Sequence, residues 1–194
     1  MPAGGSTRLG DVAFIVLAAG AGRRFGGPKQ LAPLAGRPLL QYVIDAAPDP
    51  LTVVLGAHAE AVRAAVDLDG VNVVVCEDWE EGQAASLRAG VAAVGAVDAA
   101  VVLLGDMPFV TPQVIVGALD HLTASWDAAR TLYEGEPGHP VVLGRSVLDA
   151  VPELRGDVGA RDLLRSFRVR EWEAGHLCDP TDIDTRAQLD VIAR

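Results

Sequence analysis

Residues 12–30, VAFIVLAAGAGRRFGGPKQ, decide the fold. The apolar run 12–17 ends at a turn rich in glycine that carries Arg23, Arg24 and Lys29. So short a run, bounded by glycine, is a strand buried on both faces. Glycines let backbone N–H groups turn toward an anion and approach it closely, while cations neutralise it. Three cations within seven residues therefore point to a phosphate cradle; a plain turn with exposed arginines is the alternative. The two commonest phosphate motifs fail on register. Counting G-x-G-x-x-G from Gly20 puts Phe25 at the third glycine, and the second apolar run ends in Gly56 and Ala57 where an acid is required. A Walker A loop from Gly22 demands lysine at Pro28, and Lys29 is followed by Gln30 rather than Ser or Thr.

Outward from this loop, valine-rich runs alternate with stretches of helical period. Strands are predicted over 12–17, 51–55, 71–75 and 99–104, and helices over 38–47, 59–66, 84–94 and 111–122. Beyond them come a short strand at 140–143, a helix at 160–166, a strand at 169–172 and a closing helix at 185–192. This pattern is a single α/β domain with a mostly parallel sheet covered on both faces. Residues 11–194 are assigned to it, and 1–10 are expected to form a disordered tail. Ligands of such sheets bind beyond the carboxyl ends of the strands. The loops after the first, third and fourth strands should therefore meet there.

The 194 residues suit one domain. Half are hydrophobic and 5% aromatic, so the core is built from Ala, Val, Leu and Ile. No apolar run approaches the ~18 residues of a membrane span. Without a signal sequence the chain is expected in the cytoplasm. Sixteen basic against 26 acidic residues give a net charge of −10, which excludes a nucleic acid as the expected partner but leaves a small anion possible. Cys76 and Cys178 have neither zinc spacing nor a disulfide framework. Fifteen of the sixteen basic residues are arginine, and the lone lysine, Lys29, lies in the phosphate loop. That is suggestive of a site wanting a compact ammonium.

The opening LAAGAGRRFGGPKQLAPLAGRPLL at 17–40 resembles the signature of nucleotidyltransferases. Further markers follow in family order: DWEEGQAASLRAG at 78–90, GDMPFVT at 105–111, GHPVVL at 138–143, GDVGAR at 156–161 and DIDT at 182–185. Together they resemble the MobA-like NTP transferases, and most nearly the molybdenum cofactor cytidylyltransferases. The resemblance implies a three-layer α/β/α Rossmann-like domain of the nucleotide-diphospho-sugar transferase type, with a mostly parallel mixed sheet. The implied activity is Mg2+-dependent transfer of CMP from CTP to the terminal phosphate of a molybdopterin, with Mn2+ as a possible substitute. GTP in place of CTP, and a sugar or polyol phosphate as acceptor, remain alternatives. A non-catalytic cofactor-binding or insertion partner of a molybdoenzyme is another.

The resemblance also implies roles. Asp106 would hold the metal, joined by Asp184, with Asp182 as a substitute two residues away. A turn-forming Asp106 and helix-capping aspartates are the plain alternatives. Arg24 and Lys29 would grip the β- and γ-phosphates and the departing pyrophosphate, leaving Arg23 to solvent. Ala18, Ala19, Gly20 and Gly22 would line the nucleotide, while Gly82 and Ser86 would contact base or ribose. His139, Asp157 and Arg161 would face the pterin or its phosphate. Ala19 resembles the cytidylyl rather than the guanylyl form. His58, His121 and His176 carry no functional expectation.

Overall fold

The computed structural model describes residues 10–156 and 159–192. The chain begins with β1 (Val12–Ala18), a small hairpin of β2 (Pro33–Leu34) and β3 (Arg37–Pro38), and α1 (Leu39–Ala46). Next come β4 (Leu51–Leu55), α2 (Ala59–Ala65), β5 (Asn72–Val75), α3 (Gln83–Val94), β6 (Ala99–Leu104) and α4 (Pro112–Asp120). The remainder is β7 (Ala128–Tyr133), β8 (Glu136–Gly144), α5 (Arg145–Leu148), α6 (Ala160–Leu163), β9 (Val169–Glu173) and α7 (Arg186–Ile192). Apart from Gly10, the expected tail at 1–10 lies outside the described residues. No helix among the described residues is long and apolar enough to cross a membrane.

Seven strands form one sheet in the order β5-β4-β1-β6-β8-β7-β9. β8 runs antiparallel to both its neighbours, and every other pairing in this sheet is parallel. Side chains alternate across β1 because a strand has a period of two. Phe14, Val16 and Ala18 pack on one face with Leu40 and Val43 of α1 and Ile115 of α4. Ala13 and Ile15 face the other way, toward Ala84 and Leu87 of α3 and Val147 of α5. The result is a sheet between two helical layers. The chain moves from β1 to β4 and β5 on one side, then returns to place β6 on the other. That reversal opens the ligand crevice of an α/β sheet between the ends of β1 and β6.

The second half differs from the sequence expectation. The predicted strand at 140–143 is the end of a longer β8, and β7 was not predicted at all. Arg130 and Thr131 interrupt the apolar pattern of β7, and two prolines and two glycines in β8 look like breakers. Tertiary contacts override both signals. The hairpin turns at Glu134 and Gly135 with φ of 53° and 84°, the positive pair of a type I′ turn. The Glu173 carboxylate accepts from both turn amides at 3.0 Å, offsetting the strain at a non-glycine residue. Thr131, fully buried, donates to the carbonyl of Pro140 at 2.8 Å. The predicted helix at 160–166 shortens to α6 followed by a 3-10 turn.

Candidate active site

The loop after β1 is held with its carbonyls turned back into the protein. Gln30, itself buried, donates through Nε2 to the carbonyls of Ala18 and Gly20, both at 2.8 Å. The amide of Ala57 donates to Ala19, and His58 Nε2 lies 3.0 Å from the carbonyl of Ala21. Four successive carbonyls are thus occupied, as buried backbone acceptors require. Gly22 adopts φ +64°, and a Cβ there would lie 2.0 Å from the carbonyl oxygen of Gly27. A close approach also explains Gly56, where a Cβ would meet Ala19 O at 2.6 Å and Trp79 Cβ at 2.8 Å. His58 and Gln30 hold this loop. Nothing in the sequence marked His58; Gln30 was visible only as the end of PKQ.

Beside this loop lies a cavity of about 480 Å3. The ends of β1 and β6, the 79–83 segment and the start of α3 line it together with the loop. Ala18, Ala19, Gly20, Gly22, Lys29, Gly82, Ser86 and Asp106 all stand in its wall. Gly82 takes φ +110° as it enters α3, so the free amides of that helix start at the cavity. Ser86 makes no cap; it lies buried on the wall beside the Cys76 thiol, whose pKa burial pushes up. Arg23, assigned to solvent, is exposed but lines the cavity. Arg24 turns instead toward the C-terminal segment.

There the charges converge. Lys29 Nζ pairs with Asp106 Oδ2 and sits 3.0 Å from Asp184 Oδ1, while Arg24 Nη2 lies 2.8 Å from Asp184 Oδ2. Burial alone would lower the Lys29 pKa, but the charges and hydrogen bonds of Asp106 and then Asp184 outweigh it and leave it raised. The Asp182 carboxyl is raised, first by desolvation and then by Asp106 and Asp184. Asp182 and Asp184 lie in irregular chain, not on a strand. Neither of them caps α7. Thr185 Oγ1 accepts from Gln188 N at 3.3 Å and Gln188 Oε1 accepts from Thr185 N at 2.8 Å, a capping box.

A divalent cation fits this arrangement. Asp106 Oδ1 is buried with no hydrogen-bond partner, a hard oxygen left over after Oδ2 has paired with Lys29. Among the described residues no three or more His, Cys, Asp or Glu side chains form a complete metal cage. Two carboxylates suit a magnesium-like ion, which takes one or two of them and completes its shell with phosphate and water.

A second cavity of about 250 Å3 adjoins the first, and Leu17, Gln83 and Leu104 line both. His139 and Arg161 stand in its wall. Burial pushes the His139 imidazole down to about 4, against a smaller opposing pull from Asp106, so it is neutral near pH 7. Asp157 lies outside the described residues.

Known proteins resemble this chain along most of its length. Nicotine blue oxidoreductase of Paenarthrobacter nicotinovorans is 34% identical over 206 residues, covering 97% of this chain and 96% of that protein. The bifunctional protein GlmU of Cupriavidus pinatubonensis is 32% identical over 87% of this chain, which spans only 38% of GlmU. The crystal structure of Rv0371c from Mycobacterium tuberculosis H37Rv superposes with a TM-score of 0.84 at 36% identity, covering 95% and 98% of the two chains. Its complex with manganese gives 0.80 at 34% identity over the same shares. Residues 14–173 match the MobA-like NTP transferase domain, nearly the whole of the sheet and both cavities, and the chain belongs to that family.

Proposed function

We propose that this nucleotidyltransferase is a cytidylyltransferase, transferring CMP from CTP to the terminal phosphate of a molybdopterin-type acceptor. The observation that carries the transfer chemistry is the chain's one lysine, set in the wall of the larger cavity and paired with Asp106 and Asp184. The choice of CTP rests on Ala19, whose resemblance is to the cytidylyl form and which lines the cavity beside Trp79.

In this reading the triphosphate lies along the loop after β1, facing the amides that the pinned carbonyls leave free. Asp106 and Asp184 would hold the divalent cation, Mg2+ or Mn2+, which supplies positive charge against the phosphate oxygens. Lys29 and Arg24, paired with those aspartates in the free protein, turn to the β- and γ-phosphates. An acceptor phosphate oxygen attacks the α-phosphorus in line; the new P–O bond forms as the bond to pyrophosphate breaks. Lys29 and Arg24 stabilise the charge that gathers on pyrophosphate. No general base is needed, because a phosphate monoester is largely ionised at neutral pH. Gly82 and Ser86 contact the nucleoside, and His139, Asp157 and Arg161 the acceptor. The product's consumer would be a molybdoenzyme or its maturation factor.

The test is pyrophosphate release with Mg2+ and purified molybdopterin, comparing CTP, GTP, ATP and UTP. Release with CTP alone supports the proposal. Release only with a sugar or polyol phosphate, or molybdopterin binding without release, would replace it by one of the alternatives. The full-length match to nicotine blue oxidoreductase favours one other reading, an oxidoreductase. Bleaching of nicotine blue with NADH or NADPH would establish it, against a loop whose register departs from the dinucleotide fingerprint.

A further inference from the structure

The second cavity has an arginine at the end remote from the nucleotide. Its floor is one face of the sheet. Val102 on β6, Val141 on β8 and Arg130 on β7 are paired in register, so their side chains stand in one row. Leu104 and His139 lie two residues further along their strands on that same face, and Leu104 also borders the larger cavity. Gln83 and Leu87 of α3, Pro137 and Gly138 of β8 and residues 159–162 and 164 also line it. The nucleotide side is therefore at Leu17, Gln83 and Leu104. Arg130 stands two strands away from β6, ~10 Å at ~4.8 Å per strand.

Arg130 is a costly residue to place on a sheet face lined by Val102, Val141 and Leu104. Its side chain is 21% exposed, and its Nη2 pairs with Glu171 on the edge strand β9, itself 50% exposed. Its Nε is buried and has no partner. A guanidinium carries five N–H donors and no acceptor, so one ion pair at the sheet edge leaves most of its capacity unused. Apart from His139, Gln83, Arg161 and Asp162, the walls around it are apolar.

We infer that Arg130 selects the acceptor: the cavity takes a flat ring system that lies against its apolar walls and whose edge farthest from the reacting phosphate carries an oxygen acceptor, and Arg130 donates to that oxygen. This rests on the assignment of the cavity to the acceptor. An elongated ligand then lies across β6, β8 and β7, with its phosphate at Leu104 and Gln83 and its oxygen-bearing edge at Arg130. A ligand with an amino group in place of that oxygen would set donor against donor at Arg130 and bind more weakly.

Two fluorescent probes separate the possibilities: 6-hydroxymethylpterin, with oxygen at position 4, and 2,4-diamino-6-hydroxymethylpteridine, with an amino group there. The intact chain should bind the first about tenfold to a hundredfold more tightly, the range of a hydrogen bond to a charged donor. Arg130→Met should abolish that preference while CTP binding persists, and Glu171→Gln should preserve it. If Arg130→Met keeps the preference, or Glu171→Gln loses it equally, Arg130 is a strut of the sheet edge and the inference falls. Tight binding of both probes without preference overturns the role of Arg130 alone. Binding of neither, with CTP binding intact, overturns the acceptor assignment of the cavity and Arg130's role with it.

Discussion

Lys29 Nζ and Asp184 Oδ1 lie 3.0 Å apart although 155 residues separate them in the chain. The contact fastens the loop after β1, near the start of the chain, to the segment before α7, near its end. A second tie runs parallel to it. Arg186 of α7 stacks over the ring of Phe25 at 5.1 Å and donates through Nε to the Phe25 carbonyl at 3.2 Å. Phe25 is buried among Leu34, Leu39, Ile183 and Leu189. The end of the chain is thus part of the candidate active site, both as a carboxylate and as the wall against which the loop is folded.

Asp106→Ala should abolish turnover while leaving the far-UV spectrum and fold intact, since Lys29 retains Asp184 as a partner. Lys29→Met should lower kcat by about 10²–10³, the usual effect of removing one charge-stabilising donor. Pyrophosphate release at saturating nucleotide measures both. Full activity in the Asp106→Ala protein would remove Asp106 from the chemistry.

Gly22→Ala should damage the loop more than an ordinary surface change. The new Cβ would meet the Gly27 carbonyl at 2.0 Å, and φ +64° disfavours any side chain. Nucleotide affinity should fall at least tenfold, read by calorimetry. By contrast Gly26→Ala, with φ +83° but nothing within 4 Å, should cost ~1 kcal/mol of loop strain and retain more binding.

Thr185→Ala removes half of the capping box on α7 and should cost about 1 kcal/mol of stability. Because Gln188 Oε1 also accepts from the amide of Asp184 at 3.0 Å, the carboxylate should lose its fixed position as well. KM for the nucleotide should then rise while the melting temperature drops by only a few degrees. Unchanged KM with lowered stability would confine Thr185 to the helix.

Acid should weaken the fold in two stages. Burial holds His139 near 4 instead of 6.5, so between those values the unfolded chain binds a proton that the folded one refuses. Stability falls as pH drops through that window. Asp127 is held at about 2, below its usual 3.8, by side-chain and backbone hydrogen bonds from Arg168. Its contribution is complete above 3.8 and disappears as pH falls toward 2. A series of melting temperatures from pH 8 to 2 should show both stages. His139→Gln should flatten the first and Asp127→Asn the second.

Local sequence determined the regular half of this protein. The near-continuous apolar runs in β1, β4 and β6, and the glycine and proline boundaries between them, dictate parallel strands with helical crossovers, because period and turn chemistry are local properties. The ordered motifs identified the family. The cluster of cations in the loop after β1 was legible for the same reason: they lie within seven residues of one another. Tertiary structure decided the rest. Whether Asp184 caps α7 or faces Lys29 depends on Gln188 completing the cap with Thr185. The strands β7 and β8 contradict their own local pattern, and they form because Glu173 satisfies the turn amides and Thr131 satisfies Pro140. Arg130 acquires its place beside the second cavity only through the register of β6, β8 and β7. Each of these depends on groups distant in sequence, whose pairing has no local periodic signature and exists only once the sheet has closed its order.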